Sequence, residues 1–267
     1  MFDHHLWNLY ILNPLTLERI DLPRPRSIFS ERFKPNLRYN PSCLWIDDIT
    51  KDYLVFWGTD YYVFFTKKGN DTWRIVNHEL YGQIVYNHKD EKVYTYASFG
   101  QVYVWDFSGD IPLLDGYPPH HDIYNAFNAK HSSSEDTLCW YLTSNFDECI
   151  ATTVSGQVLQ VCYSLQDPKY QFYIYKSDPL RQKKWVQVDS LGDEALILGM
   201  GFTVIANDIP GIKRNSIYVS GYDYARDDPN HIFVYDLTTR TVEPLPQCIF
   251  SSIRFSDARW FFPDLTL

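Results

Sequence analysis

Short runs of apolar and aromatic residues alternate with polar residues along this chain, and most runs end at a polar turn. In a clear example, residues 232–235 lead through Asp236 and a Thr-Thr-Arg turn into residues 241–245. Alternation at period two is typical of half-buried β-strands, and two such runs around a short polar turn predict a hairpin. Five hairpins of this kind are predicted, each anchored on one polar residue: Asn13, Thr66, Asp106, Lys176 and Asp236.

The predicted hairpins recur at intervals of 40 to 70 residues. A repeat of about 40–50 residues is typical of β-propeller blades, which have four strands each. Further strand pairs precede the second, third and fourth hairpins, at residues 43–46 and 53–57, 83–86 and 92–96, and 149–153 and 157–163. The first hairpin, near Leu9, is predicted to have no inner strands before it. The sequence therefore predicts an all-β fold, a β-propeller of four-stranded blades with about five recognisable and the first incomplete.

Several segments depart from the repeat. Residues 115–136 contain Pro-Pro, His-His and Ser-Ser-Ser and are predicted to form a long loop, with an extra strand at 138–142. The proline-rich residues 24–41 are predicted to form a surface connection, with at most a turn or two of helix at 25–33 because proline breaks helices. Residues 251–255 alternate and residues 260–262 are strongly apolar. We expect this C-terminal segment to complete the first blade, since an open sheet edge promotes aggregation.

Composition supports a single β-rich domain over residues 1–267. The chain contains 21 Tyr, 17 Phe and 8 Trp, and aromatic residues favour the pleated surface of a sheet. A chain of this length buries enough surface for a substantial core, and all-β domains of this size are commonly single. The formal net charge is −9, which argues against nucleic acid and anionic membranes as partners.

Cysteine usage and the N-terminal residues predict a reducing compartment, the cytoplasm or the nucleus. The five cysteines have no C-x-x-C spacing and an odd count: Cys43, Cys139, Cys149, Cys162 and Cys248. Residues 1–14 lack the basic and apolar regions of a secretory signal. No apolar run is long enough to cross a bilayer. The cysteines are therefore predicted to be small buried apolar residues.

The most specific stretch of the sequence lies between residues 185 and 237. It reads Trp-Val-Gln-Val-Asp-Ser-Leu-Gly-Asp-Glu-Ala-Leu-Ile-Leu-Gly over residues 185–199, followed by Pro210-Gly211, Asn215-Ser-Ile-Tyr and Val234-Tyr-Asp-Leu. This stretch resembles the plant KIB-type β-propeller family, whose members mostly carry an F-box in front of the propeller. The resemblance implies a protein-interaction domain, the substrate-recruiting part of an F-box ubiquitin-ligase receptor, with a protein target as its partner. No F-box opening precedes Asn13, so the F-box is expected to be absent and the ligase adaptor subunit is not an expected partner.

Patterns of catalytic or metal sites are missing from the sequence. We find no G-x-S-x-G, no G-x-x-x-x-G-K-[ST] and no H-E-x-x-H. Gly199-Met-Gly201 is a lone G-x-G and is predicted to be a turn between strands. The pairs His4-His5 and His120-His121 are not expected to bind metal, because neighbouring residues on an extended chain point in opposite directions. No catalytic, cofactor-binding or metal site is predicted, and no cofactor.

Acidic and tryptophan residues leave one alternative open. Carboxylates recur at turns, namely Asp47-Asp48, Asp189 with Asp193-Glu194, and Asp227-Asp228. Paired carboxylates serve glycosidases, but Asp is also favoured in turns because its side chain bonds the local backbone. Asp106 and Asp236 share one repeat position, and Trp73, Trp105 and Trp185 lie on outer strands, where we expect them to fill the space between blades. The preferred function is non-catalytic protein binding; the alternatives are a propeller enzyme acting on glycans and a truncated copy without independent function.

Overall fold

The chain is described by a computed structural model that covers residues 2–3, 8–13, 16–24, 42–47, 49–58, 63–76, 83–97, 101–109, 111–116, 147–166, 169–178, 184–219 and 232–245. These residues form twenty β-strands and two short 3-10 turns, at Leu198–Met200 and Ala206–Asp208. The predicted loop, extra strand and C-terminal strands at 117–136, 138–142 and 251–262 lie outside the described residues, as does the segment 25–41.

The strands follow one another in mostly antiparallel groups, which we name blades A to E in chain order. Blade A contains β1 (Phe2–Asp3), β2 (Asn8–Leu12) and β3 (Arg19–Asp21). Blade B contains β4 (Ser42–Ile46), β5 (Tyr53–Gly58), β6 (Val63–Lys67) and β7 (Arg74–Val76). Blade C contains β8 (Ile84–Asn87), β9 (Lys92–Ala97), β10 (Gln101–Asp106) and β11 (Leu113–Gly116). In each of these sheets the strands lie side by side in chain order.

The later strands form a larger sheet. Blade D contains β12 (Asp147–Thr152), β13 (Val158–Gln166), β14 (Lys169–Asp178) and β15 (Lys184–Val188). Blade E contains β16 (Glu194–Ile197), β17 (Phe202–Ile205), β18 (Ser216–Val219), β19 (Phe233–Asp236) and β20 (Thr241–Pro244). Strand β17 pairs in parallel with β12 at Thr152 and Phe202, and β16 pairs in parallel with β18. Blades D and E therefore make one nine-stranded sheet.

Apolar side chains fill the space between consecutive blades. Between blades B and C, the ring of Phe107 meets those of Phe56 and Phe65 edge-on, at 4.8 and 4.9 Å between centroids. The cluster between blades C and D includes Val85, Tyr96, Ile150, Tyr175 and Trp185. The cluster between blades D and E includes Tyr163, Ile174, Ile217, Phe233 and Tyr235. Blades B to E are thus each packed against the next one along the chain.

The five predicted hairpins are confirmed. Each is an antiparallel pair: β2–β3, β6–β7, β10–β11, β14–β15 and β19–β20. The three strand pairs predicted in front of the middle hairpins are also present, as β4–β5, β8–β9 and β12–β13. The expectation that the first hairpin has no inner strand is wrong, because β1 pairs with β2. Its two residues are too few to produce a periodic pattern in the sequence.

Candidate functional site

Turns from blades B to E lie together on one side of the molecule, which we call the turn face. In a four-stranded antiparallel blade, the first and third turns are at one end and the second turn is at the other. The turn face therefore carries the turns β4–β5, β6–β7, β8–β9, β10–β11 and β12–β13. The segments 189–194 and 206–215 and the β19–β20 turn also lie there, because hydrogen bonds link the β12–β13 turn to Glu194, and Asn215 to Leu191 and Thr238. Hydrogen bonds between these turns confirm that they are neighbours.

Two lysines tie the turns of blades B and C together. Lys68 donates to the Thr50 main-chain oxygen at 2.7 Å and forms an ion pair with Asp52 at 2.9 Å, so it joins the two turns of blade B. Lys67 donates to the main-chain oxygen of Gly109 in blade C at 2.9 Å. Lys68 and Asp52 are both exposed, so their ion pair adds little stability by itself. Their effect is to fix the relative positions of three turns.

Blades C, D and E are joined by bonds that involve the β12–β13 turn. Asn87 donates from its amide to the Gly156 main-chain oxygen at 3.0 Å. On the other side of the same turn, the N–H of Val154 donates to the Thr203 hydroxyl at 3.0 Å. The turn face is therefore cross-linked from blade B to blade E. A surface fixed in this way loses little conformational entropy when it binds a partner.

Asn215 explains one of the specific motifs of the sequence. It has φ of 53°, a left-handed conformation that Asn tolerates better than most residues. Its side-chain oxygen accepts from the N–H of Leu191 at 2.8 Å and from the hydroxyl of Ser190 at 3.0 Å. Its side-chain nitrogen donates to the hydroxyl of Thr238 at 2.9 Å. This residue connects the segment after β15 with the β19–β20 turn.

The aspartates at the repeated turn position stabilise their own turns. Asp236 accepts from the N–H groups of Thr238 at 2.7 Å and Thr239 at 3.0 Å, and these bonds, the one from Thr239 first, lower its pKa. Asp106 accepts from the N–H of Ser108 at 2.8 Å. The bonds from Ser108, its hydroxyl first, lower the pKa of Asp106. The structural role predicted for the two residues is confirmed.

The other acidic residues that the sequence pattern indicates, where the structure describes them, bond to separate partners. Asp47 accepts from the N–H of Thr50 at 2.6 Å, Asp193 lies 3.4 Å from Arg214, and Glu194 accepts from the Thr203 hydroxyl. Within the described ranges, no group of three or more His, Cys, Asp or Glu side chains is placed to hold a metal ion. The Gly199-Met-Gly201 turn lies between β16 and β17, as predicted. The residues Asp48, Asp227, Asp228, His4, His5, His120 and His121 lie outside the described residues.

Tryptophan and cysteine residues belong to the core. Trp73, Trp105 and Trp185 are only 4%, 5% and 8% exposed, which confirms that they are buried rather than displayed to a ligand. Cys149 and Cys162 are buried as predicted, while Cys43 is half-buried. Burial raises the pKa of the Cys43 thiol to about 12, so it is not a reactive thiolate at neutral pH. Cys139 and Cys248 lie outside the described residues.

Isolated aliphatic side chains at turns were not predicted as functional. Ile49 is 92% exposed at the β4–β5 turn, and Ile111 is 71% exposed at the β10–β11 turn. Val154 is 39% exposed at the β12–β13 turn. The signal available in the sequence was an aliphatic residue inside a polar turn, as in Asp47-Asp-Ile-Thr50.

In the described part of the chain, no helix is long and apolar enough to span a bilayer.

Successive groups of antiparallel strands that pack against one another along the chain are the pattern of β-propeller blades. A profile of the KIB1-4 β-propeller family matches residues 1–236. The chain belongs to this family, and the β-propeller fold predicted from the sequence repeats is confirmed.

Relatives of this chain in Arabidopsis thaliana are named as F-box proteins. The candidate F-box protein At4g17565 is 50% identical over 272 residues, which cover 100% of this chain and 69% of that relative. The F-box protein At2g05970 is 44% identical over 269 residues, which cover 98% of this chain and 69% of that relative. The resemblance inferred from residues 185–199 is confirmed.

Proposed function

We propose that residues 1–267 form the target-recognition domain of an F-box ubiquitin-ligase receptor and act by binding a protein, without catalysis. The alignment of F-box proteins with the whole chain carries this proposal. The separate hydrogen-bond partners of Asp47, Asp193 and Glu194 support binding rather than glycan hydrolysis. Glycosidases need two carboxylates on either side of one bond.

The turn face is the contact surface in this proposal. Ile49 and Ile111 project from turns of neighbouring blades and are largely exposed. A target protein that covers them with an apolar patch removes their side chains from water, at about 25 cal/mol for each Å² buried. The bonds of Lys67 and Lys68 hold these turns in place. Surface turns on a rigid scaffold commonly carry binding function.

Paired variants of exposed residues test the location of the contact. Ile49→Asp with Ile111→Asp places two charges on the turn face. The matched control is Ile75→Asp with Leu113→Asp, since Ile75 and Leu113 are 46% and 64% exposed on the outer strands β7 and β11. Purified chains are used to capture partners from plant extract, which are identified by mass spectrometry and re-tested as purified proteins.

We expect a partner that wild type and the control variant bind and that the turn-face variant does not bind. Circular dichroism verifies that both variants are folded. Loss of the partner in the control variant, with retention in the turn-face variant, contradicts the proposed location. Absence of any saturable protein partner contradicts the recognition role itself.

In this proposal the chain acts in the cytoplasm or nucleus and contacts the target alone. Residues 1–267 are not expected to bind the adaptor subunit of the ligase, because that contact belongs to the F-box. A pull-down with purified adaptor tests this point. A one-to-one complex at physiological salt would show that the propeller itself carries an adaptor contact.

A further inference from the structure

A depression of about 110 Å³ opens on the turn face between the β12–β13 turn and the segment that leads from β15 to β16. A single water needs about 10–15 Å³, whereas a drug-sized ligand fills about 300–1,000 Å³. The depression therefore has the size to receive one side chain of a partner protein. Its polar lining consists of Thr153, Ser155, Gln157, Lys176, Ser190 and Glu194.

Lys176 is the positive group of the depression. It lies near the C-terminal end of β14, beside Leu159 and Val186 on the adjacent strands, and is half-buried. Among the residues that the structure describes, no carboxylate pairs with its ammonium group. The three N–H donors of this ammonium group are therefore available to a ligand that enters the depression.

Glu194 is the negative group of the depression. Its Oε2 accepts from the Thr203 hydroxyl and from the Val154 N–H, the latter at 3.4 Å. Its Oε1 makes no hydrogen bond to the described residues, so one acceptor remains. The depression thus offers a ligand a positively charged hydrogen-bond donor, Lys176, and a negatively charged hydrogen-bond acceptor, Glu194.

The hydroxyl groups of the lining are largely occupied. The hydroxyls of Thr153 and Ser155 bond each other at 2.9 Å. The Ser190 hydroxyl donates to the Asn215 side-chain oxygen at 3.0 Å and accepts from the N–H of Gly192 at 3.0 Å. The charged groups that the depression offers to a ligand are therefore Lys176 and Glu194.

We infer that the depression receives a carboxamide side chain, Asn or Gln, of the target protein; this rests on the proposed function, since it assumes a protein bound to the turn face. A carboxylate is attracted by Lys176 and repelled by Glu194, and at similar distances the two Coulomb energies largely cancel. A cationic side chain is repelled by Lys176 and attracted by Glu194, and these two energies also largely cancel. A carboxamide has no net charge, and its oxygen accepts from Lys176 while its NH₂ group donates to Glu194.

Titration with small probes tests the inference. N-acetylglutamine methylamide and the matched N-acetylglutamate methylamide are added to the ¹⁵N-labelled full chain, and amide signals of residues 153–157 and 188–194 are followed by NMR. The glutamine probe is expected to bind about fivefold more tightly than the glutamate probe, the effect of about one hydrogen bond. Lys176→Met is expected to weaken both probes, whereas Lys51→Met, a control in the β4–β5 turn, leaves them unchanged.

A second variant makes the prediction specific to charge. Glu194→Gln removes the negative charge, so the preference is expected to reverse in favour of the glutamate probe. Equal affinity for the two probes, or no signal change in these segments, would overturn the inference. Either result leaves the proposed function standing, because that depends on the Ile49 and Ile111 variants. Absence of any saturable protein partner, with the probe selectivity intact, contradicts the proposed function alone.

Discussion

Asn87 donates a hydrogen bond of 3.0 Å to the main-chain oxygen of Gly156 and so joins blade C to blade D. Beside this hydrogen bond, the main chain at Gly156 also lies close to the side chain of Lys89. A Cβ atom on Gly156 would lie 2.4 Å from Cγ and 2.5 Å from Cβ of Lys89. These lysine atoms are near the main chain and have little freedom to move. The β12–β13 turn therefore requires glycine for space as well as for conformation.

The first prediction compares two glycine substitutions. Gly156 and Gly211 have φ of 84° and 87°, but nothing lies within 4 Å of a Cβ atom on Gly211. Gly211→Ala is expected to cost about 1–2 kcal/mol, the strain of a left-handed alanine. Gly156→Ala is expected to cost clearly more, because Lys89 must also be displaced. Urea unfolding measures the loss of stability in each variant. Equal losses would show that Lys89 is displaced from Gly156 at no cost.

The second prediction concerns Trp185, which is 8% exposed between blades C and D. Trp185→Ala is expected to lower the free energy of unfolding by about 3–5 kcal/mol, as other large aromatic truncations in packed cores do. Trp185→Phe retains part of the contact area and is expected to cost less. Leu113→Ala on the exposed surface is the control. A change for Trp185→Ala no larger than that of the control contradicts the prediction.

The third prediction concerns the three hydrogen bonds of the Asn215 side chain. Asn215→Gly keeps the left-handed conformation accessible and removes only these bonds. It is expected to destabilise the protein by about 2 kcal/mol, at about 1 kcal/mol for a typical bond with some compensation by water. Asn215→Asp keeps the acceptor for Leu191 and Ser190 and is expected to cost less. Thermal unfolding gives the ranking, and an unchanged midpoint for Asn215→Gly rules out the connecting role.

The fourth prediction concerns pH. Burial raises the pKa of Glu148 on β12, while bonds to Gln160 and Cys162 lower it by less; burial also raises the pKa of the neighbouring Asp147. A carboxyl group with a raised pKa binds more protons in the folded state, so its ionisation destabilises the fold as pH rises. The contribution of Glu148 to stability is fully present below the pKa of about 4.3 that a glutamate has in the unfolded chain. This contribution is lost as the pH rises through the higher pKa that Glu148 has in the folded protein.

Glu148→Gln removes this pH-dependent loss. Relative to wild type, the variant is expected to gain more stability at pH 7 than at pH 4, measured by urea unfolding at both values. Glu18→Gln, at an exposed position of blade A, is the control and is expected to leave the pH dependence unchanged. Parallel curves for wild type and Glu148→Gln would mean that Glu148 reaches water in the folded protein.

The hairpins were predictable because each depends on neighbouring residues. Alternation around Thr66, Asp106 and Asp236 is a local pattern, and an aspartate at a turn acts on N–H groups two or three residues away. Burial of Trp185 followed from its residue type and position. These features need no knowledge of distant parts of the chain.

The joined sheet and the turn face were not predictable in the same way. The pairing of Thr152 with Phe202 is made by main-chain atoms, which any residue other than proline provides, so no side-chain pattern marks it. The bond between Asn87 and Gly156 joins residues 69 positions apart. The exposure of Ile49 depends on the absence of neighbours around a turn, and its residue type alone would place it in the core.

The nine-stranded sheet also determines where this protein can be divided. Blades B and C are separate hydrogen-bonded sheets, so a cut between β7 and β8 severs no ladder between strands. A cut between β15 and β16 leaves β12 and β17 as open edges, which are templates for aggregation. In hydrogen exchange, strands on one ladder tend to open together. Complementing fragments for this protein should therefore be divided before blade C, with blades D and E kept on one polypeptide.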